Sequence, residues 1–157
     1  MARKPRTDEE LRAVSEHLYY EVGMLLNLAK VLATGSLGNG TLENAALESF
    51  TVHARGLLDF LYADNPREDD VVADDFLGGQ GTWPGVRGDI PPILNDVRQR
   101  VGKEVAHLTY ARLSVTPEAK QWLFLDIAGA MQTVLGRFLK AVPKERLGPS
   151  WHIVGES

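Results

Sequence analysis

The chain has four histidines, His17, His53, His107 and His152, and no cysteine. Catalysis by a thiolate is therefore excluded, and acid–base chemistry would rest on His and its neighbours. The most informative stretch is Arg98-Gln-Arg100-Val-Gly-Lys103-Glu104-Val-Ala-His107-Leu-Thr-Tyr110-Ala-Arg112. On a helix, Arg100 and His107 would differ by about 20° around the axis and stand roughly 10 Å apart. An apolar face centred on Val101 and Leu108 would lie about 90° away. The Arg–His stripe then flanks the buried face, held by packing yet able to reach a partner or a groove. The same spacing also makes Arg100 and Glu104 an ordinary i,i+4 surface pair.

The elements that must position this stripe read as helices. Residues 1–6 form a basic arm, expected to be frayed. Thr7 with Glu10 fits a capping box, and Asp8, Glu9 and Glu10 suit the positive end of a helix dipole. Leu11, Val14, Leu18, Val22, Leu25, Leu28 and Leu32 then recur at helical spacing until Gly35 and Gly38. A second helix starts near Thr41, with Leu42, Ala46, Phe50, Ala54, Leu57 and Leu61 on one face, and ends at Asn65-Pro66. A third spans roughly Pro92–Arg112, with Val97, Val101, Val105 and Leu108 inward. Thr116-Pro117-Glu118 is a start signal for a fourth, running to about Ala141. Its broad apolar side includes Trp122, Leu125, Met131, Phe138 and Leu139.

Residues 64–91 are a long connection, acidic and then Gly-rich, with a short helix expected around Asp69–Phe76 and with Phe76 and Trp83 pinning it to the bundle. The tail 143–157 carries Trp151 and Ile153, which suit docking. No alternating strand pattern and no internal repeat is present. The expected architecture is all-α: a single domain over 1–157, built as an up-down bundle of four to five helices with one long crossover.

Composition narrows the function classes. A chain of 157 residues fits one domain and is long enough to bury a core without staples. Without Cys there is no disulfide scaffold, Cys-ligated zinc or iron–sulfur cluster. No stretch approaches the ~20 apolar residues that span a bilayer, and no apolar leader follows the basic arm. A cytoplasmic protein is the default reading. The net charge of −4 argues against a wholly basic nucleic-acid binder. Locally the balance differs: residues 64–75 hold six acids against Arg67 alone, whereas 92–112 hold four bases against Asp96 and Glu104.

Four pieces of the chain resemble the HEPN superfamily of helical nucleotide-binding domains, and more narrowly a group of uncharacterised bacterial HEPN-like proteins. They are Glu16-His-Leu-Tyr19, His53-Ala-Arg55-Gly-Leu-Leu-Asp59-Phe60, Asp69-Asp70-Val-Val-Ala-Asp74-Asp75-Phe76, and Arg100…Lys103-Glu-Val-Ala-His107-Leu-Thr-Tyr110-Ala-Arg112. The resemblance implies a helical homodimer in which Arg and His of both protomers meet in a cleft and cut RNA without a metal or cofactor. His107 would be the general acid or base and Arg100 would hold the scissile phosphate. Lys103 would add phosphate attraction, and Tyr110 and Arg112 would position substrate. Catalytic relatives often carry a polar residue where this chain has Val101, and an Asn where it has Gly102.

Other features have plainer readings. Arg55 and Asp59 are four apart and read as a structural pair, buried or lining the cleft. His53 reads as a hydrogen-bonded core histidine and His17 as solvent-facing or half-buried. Asp69, Asp70, Asp74 and Asp75 lack EF-hand spacing and read as a solvated charge run, able to dock a basic partner. Glu104-Val-Ala-His107 is one Glu-x-x-His element, and di-iron bundles need two.

Two functions follow. One is a metal-independent endoribonuclease of a defence or toxin–antitoxin type. The other is a non-catalytic HEPN-like dimer that binds an antitoxin, another partner protein or a nucleotide, with Arg100 and His107 tied up inside the chain.

Overall fold

The computed structural model describes residues 3–79, 81–102, 108, 110–116, 118 and 121–152. Among them are six α-helices and no strand: α1 (Asp8–Ala33), α2 (Thr41–Tyr62), α3 (Trp83–Arg87), α4 (Pro92–Arg100), α5 (Phe124–Ala141) and α6 (Pro149–His152). The fold is all-α. Helix α1 packs on α2, α5 and α6, and α4 bridges α2 and α5. No described helix is long and apolar enough to cross a membrane.

Helix α1 starts as its sequence dictates. Thr7 Oγ1 accepts the Glu10 N–H at 3.1 Å, and Glu10 Oε2 accepts the Thr7 N–H at 2.8 Å. Gly35 and Gly38 both take positive φ just after its end, where a side chain would be strained. Leu11, Leu18, Leu25, Ala29 and Leu32 are its buried stripe. Helix α2 is buried at Phe50, Ala54, Leu57, Leu58 and Leu61. Leu42 is the exception: it sits in the first turn of α2, beyond the reach of α1, and is 71% exposed. The helix also ends at Tyr62, three residues before the Asn65-Pro66 stop.

The long connection is pinned by aromatic packing. Phe138 of α5 meets Phe60, Phe76 and Trp83 edge-on at centroid distances of 5.1, 5.4 and 5.8 Å. Trp83 Nε1 and Arg87 Nη1 both donate to the Leu61 carbonyl, one of the acceptors left open at the end of α2. The expected helix over Asp69–Phe76 is shorter, a 3₁₀ turn at Ala73–Phe76.

Residues 3–6 are not frayed. Arg3 donates to the carbonyls of Arg67 and Asp70 and pairs with Asp75 at 2.9 Å. The Lys4 N–H donates to Glu68 Oε1, and Arg6 donates to the Glu68 carbonyl. The acidic run finds its basic partner within its own chain, because helix α1 begins beside it.

The residues after α5 also dock. Ser15, fully buried in α1, accepts the Gly148 N–H at 2.7 Å. Glu16 accepts both the N–H and the hydroxyl of Ser150. Trp151 donates to the Ser15 carbonyl and meets Tyr19 edge-on. Glu16 and Tyr19, two of the residues that carry the family resemblance, thus hold the chain's last described segment. Ile153 lies outside the described residues.

The third and fourth helices depart most from expectation. Helix α4 ends at Arg100 and gives way to a wider π-type turn at Val101–Gly102. Gly102 favours that break, since Gly costs ~1 kcal/mol against Ala inside a helix. Tyr110–Ser114 is a 3₁₀ segment. Leu108 is 92% exposed rather than part of an inward face, and Val105 lies outside the described residues. Helix α5 starts at Phe124, well past Thr116-Pro117-Glu118. Residues 121–123 have no regular structure instead and turn Trp122 into the core. Leu125 and Leu139, expected on the apolar side of this helix, are 58% and 38% exposed, because the rest of the core occupies a narrower stripe through Ile127, Met131, Val134 and Phe138.

Candidate functional site

Arg100 sits at the last turn of α4. Its guanidinium lies 4.0 Å from the centroid of the Trp122 ring. It donates to the Gln121 carbonyl at 3.2 Å and stands 3.6 Å from Asp96. Among the described residues, Arg100 thus pairs with the acid one turn before it. The expected partner, Glu104, lies outside the described residues, as do Lys103 and His107. A flat guanidinium stacked on an aromatic face loses rotational freedom and keeps a defined plane, which suits it to a planar anionic partner.

Downstream, Tyr110 is 91% exposed and Arg112 is exposed. With Leu108 and Leu113, at 92% and 86%, they make a short surface segment of large apolar side chains with one cation. Hydrogen bonds from its own backbone N–H and from Thr116 hold the Glu118 carboxylate below its usual range.

Arg55 and Asp59 form the expected i,i+4 pair at 3.6 Å, but both are exposed rather than buried, on the outer face of α2. Asp59 lines a groove of about 420 Å³ with Gly56, Asp64, Asp70 and Arg98. Arg98 pairs with Asp64 there at 2.8 Å. Three carboxylates against one guanidinium make this groove repel phosphate, and Arg100 is not among its lining residues.

A second constellation stands at the α1–α2 seam. His53 Nδ1 lies 2.6 Å from Glu21 Oε2, and the Tyr20 ring stands edge-on to the imidazole at 5.8 Å. His53 is 9% exposed, and no described residue hydrogen-bonds its Nε2. Gly56 leaves room for Glu21, whose carboxylate would lie 3.7 Å from a Cβ there. A carboxylate on Nδ1 fixes the ring's orientation and tautomer, as in proton-transfer and metal sites. Among the described residues no three potential ligands gather to hold a metal. His17 is solvent-facing. Sequence pattern had no means of finding Glu21, which lies 32 positions from its histidine.

No family model matches this chain, and neither a curated protein nor a solved structure is similar to it.

Proposed function

We propose that the chain is a HEPN-like, metal-independent endoribonuclease of a defence or toxin–antitoxin type, cytoplasmic and active as a homodimer. The observation that carries this reading is the exposure of Leu108, Tyr110 and Leu113. Single exposed apolar residues are ordinary, but three nearly bare large ones within six positions mark an interaction surface. They directly follow the Arg100…His107 stretch, so pairing through them would set two such stretches side by side. His107 is then the general acid or base on the 2′-hydroxyl and the leaving oxygen. Arg100, its plane set by Trp122, neutralises the scissile phosphate. Lys103 and Arg112 add charge, and Tyr110 offers a ring for a base to stack on.

The second reading is a non-catalytic dimer that binds a partner protein, such as an antitoxin, or a nucleotide. The contacts of Arg100 with Asp96 and the Gln121 carbonyl favour it, since they engage the guanidinium within its own chain.

The test is incubation of purified protein with total RNA in the presence of EDTA. Cleavage by wild type, lost in His107→Ala with an unchanged thermal melt, supports the nuclease. A dimer that leaves varied RNAs intact rules it out in favour of the second reading. Tyr110→Asp with Leu113→Asp should yield a folded monomer by light scattering.

A further inference from the structure

The basic arm 3–6 meets Glu68 and Asp75 of the acidic run 64–75 across more than sixty residues of sequence. Arg3 is the pivot: its side chain is 18% exposed, its partner Asp75 is 16% exposed, and it reaches two backbone carbonyls as well. Arg6 and the Lys4 backbone both address Glu68, where the Arg6–Glu68 ion pair is long, at 3.9 Å, and its carboxylate is 61% exposed. The loop does not need the arm for its anchorage, because Phe76 and Trp83 are buried against α2 and α5. The contact is thus an electrostatic surface clasp laid over an independently seated loop. Such pairs are individually weak and sensitive to salt.

We infer that this clasp is an autoinhibitory contact, in which the loop's carboxylates and carbonyls stand in for a phosphate backbone and keep the Arg3 and Arg6 guanidinium groups from single-stranded RNA. A guanidinium that meets a carboxylate in the closed form meets a phosphate oxygen in the open one, with similar geometry. The two states are exclusive, since Arg3 cannot satisfy Asp75 and a phosphate together. RNA binding therefore competes with the clasp, and release of the arm adds the two guanidinium cations of Arg3 and Arg6 to the binding surface. The choice of RNA rests on the proposed function. The clasp itself rests on the contacts above.

The experiment compares wild type with Glu68→Gln/Asp75→Asn. Each substitution keeps an oxygen acceptor and removes a charge, so the Val72 N–H that Asp75 accepts retains a partner. Limited trypsin digestion reads cleavage after Arg3 and Arg6, and fluorescence anisotropy reads binding of labelled oligo(U). A second variant, Glu43→Gln/Glu48→Gln on the first turns of α2, changes the net charge equally at a distance from the clasp. The expected result is roughly tenfold faster arm cleavage and tighter oligo(U) binding in the clasp variant alone, its salt slope steeper by about 1.4 log units per log unit for two added phosphate contacts. Adding Arg3→Ala and Arg6→Ala should abolish the gain. If trypsin cuts both proteins equally, or if the charge-matched variant gains as much affinity, the clasp does not inhibit. As a further check, raising salt on wild type should speed arm cleavage, and its failure to do so would count against the clasp in the unmutated protein. A variant that binds oligo(U) more tightly but leaves RNA uncut retains the clasp and removes the nuclease.

Discussion

The Arg100 guanidinium lies 4.0 Å from the centre of the Trp122 ring, joining the end of α4 to the irregular stretch before α5. The apolar spacing of 92–112 suggests one continuous third helix, and the described part of it, α4, closes on this contact at Arg100. Trp122 is 9% exposed, so its removal opens the core as well as freeing the arginine. Trp122→Ala should destabilise the fold by ~3–5 kcal/mol in urea denaturation. Arg100→Lys keeps the charge but loses the flat stack, and should cost about 1 kcal/mol. Equal stability of Arg100→Lys and wild type would mean that the stack contributes nothing.

The attachment of the segment after α5 depends on one buried hydroxyl. Ser15 Oγ accepts the Gly148 N–H and donates to the Arg12 carbonyl. Ser15→Ala leaves that N–H buried without a partner, at a cost of ~1–3 kcal/mol. Trp151 fluorescence should become accessible to acrylamide in the variant before global unfolding begins.

Alkaline pH should weaken the fold at Tyr62. Burial pushes this phenol above its ordinary value of 10.0, against the pull of Arg87 and Arg137. A raised folded pKa means stability that is complete below the unfolded value and lost as pH rises through the folded one. The Tyr62 hydroxyl is also buried, with no hydrogen-bond partner among the described residues. Tyr62→Phe should thus gain about 1 kcal/mol near neutrality and flatten the loss above pH ~10. A destabilised Tyr62→Phe protein would show that the hydroxyl has a partner in solution.

Acid should loosen the start of α1. The Thr7 backbone N–H, and then its hydroxyl, hold the Glu10 carboxyl below its ordinary 4.5. For a depressed folded pKa the stabilisation is present above the unfolded value and disappears as pH falls through the folded one. Hydrogen exchange of the first-turn amides should therefore accelerate below pH ~4, and Glu10→Gln should remove that dependence. An identical profile in Glu10→Gln would place the titration elsewhere.

The seam between α1 and α2 carries a charge-assisted contact that the sequence pattern hides. Glu21→Ala leaves His53 at the protein interior without its acceptor. A hydrogen bond to a charged group contributes ~1.5–3 kcal/mol, so thermal unfolding should shift down by several degrees. Glu21→Gln keeps an oxygen on Nδ1 and should recover part of the loss. No difference between the two variants would assign the effect to packing.

Much of this fold is legible in the chain. The Thr7–Glu10 box, the stripe from Leu11 to Leu32 and the glycines at 35 and 38 are local signals with local causes, and each sits where it reads. Phe76 and Trp83 could be picked out as anchors because large aromatic side chains in a polar loop have few other places to go. The segment after Arg100 is different. Its apolar spacing is helical, yet Leu108 is exposed, Tyr110–Ser114 is a 3₁₀ segment, and Arg100 meets a tryptophan from 22 positions downstream. Helix periodicity reports only what a segment could bury, not whether a neighbour has taken the place.

The sequence by itself determined an all-α chain, its main helices and the location of its charge, because capping, periodicity and composition act over a few residues. Only the tertiary structure decided which charges meet. Arg3 with Asp75, His53 with Glu21 and Arg100 with Trp122 are separated by 72, 32 and 22 positions. Their pairing depends on how helices pack side by side, which no short-range pattern encodes.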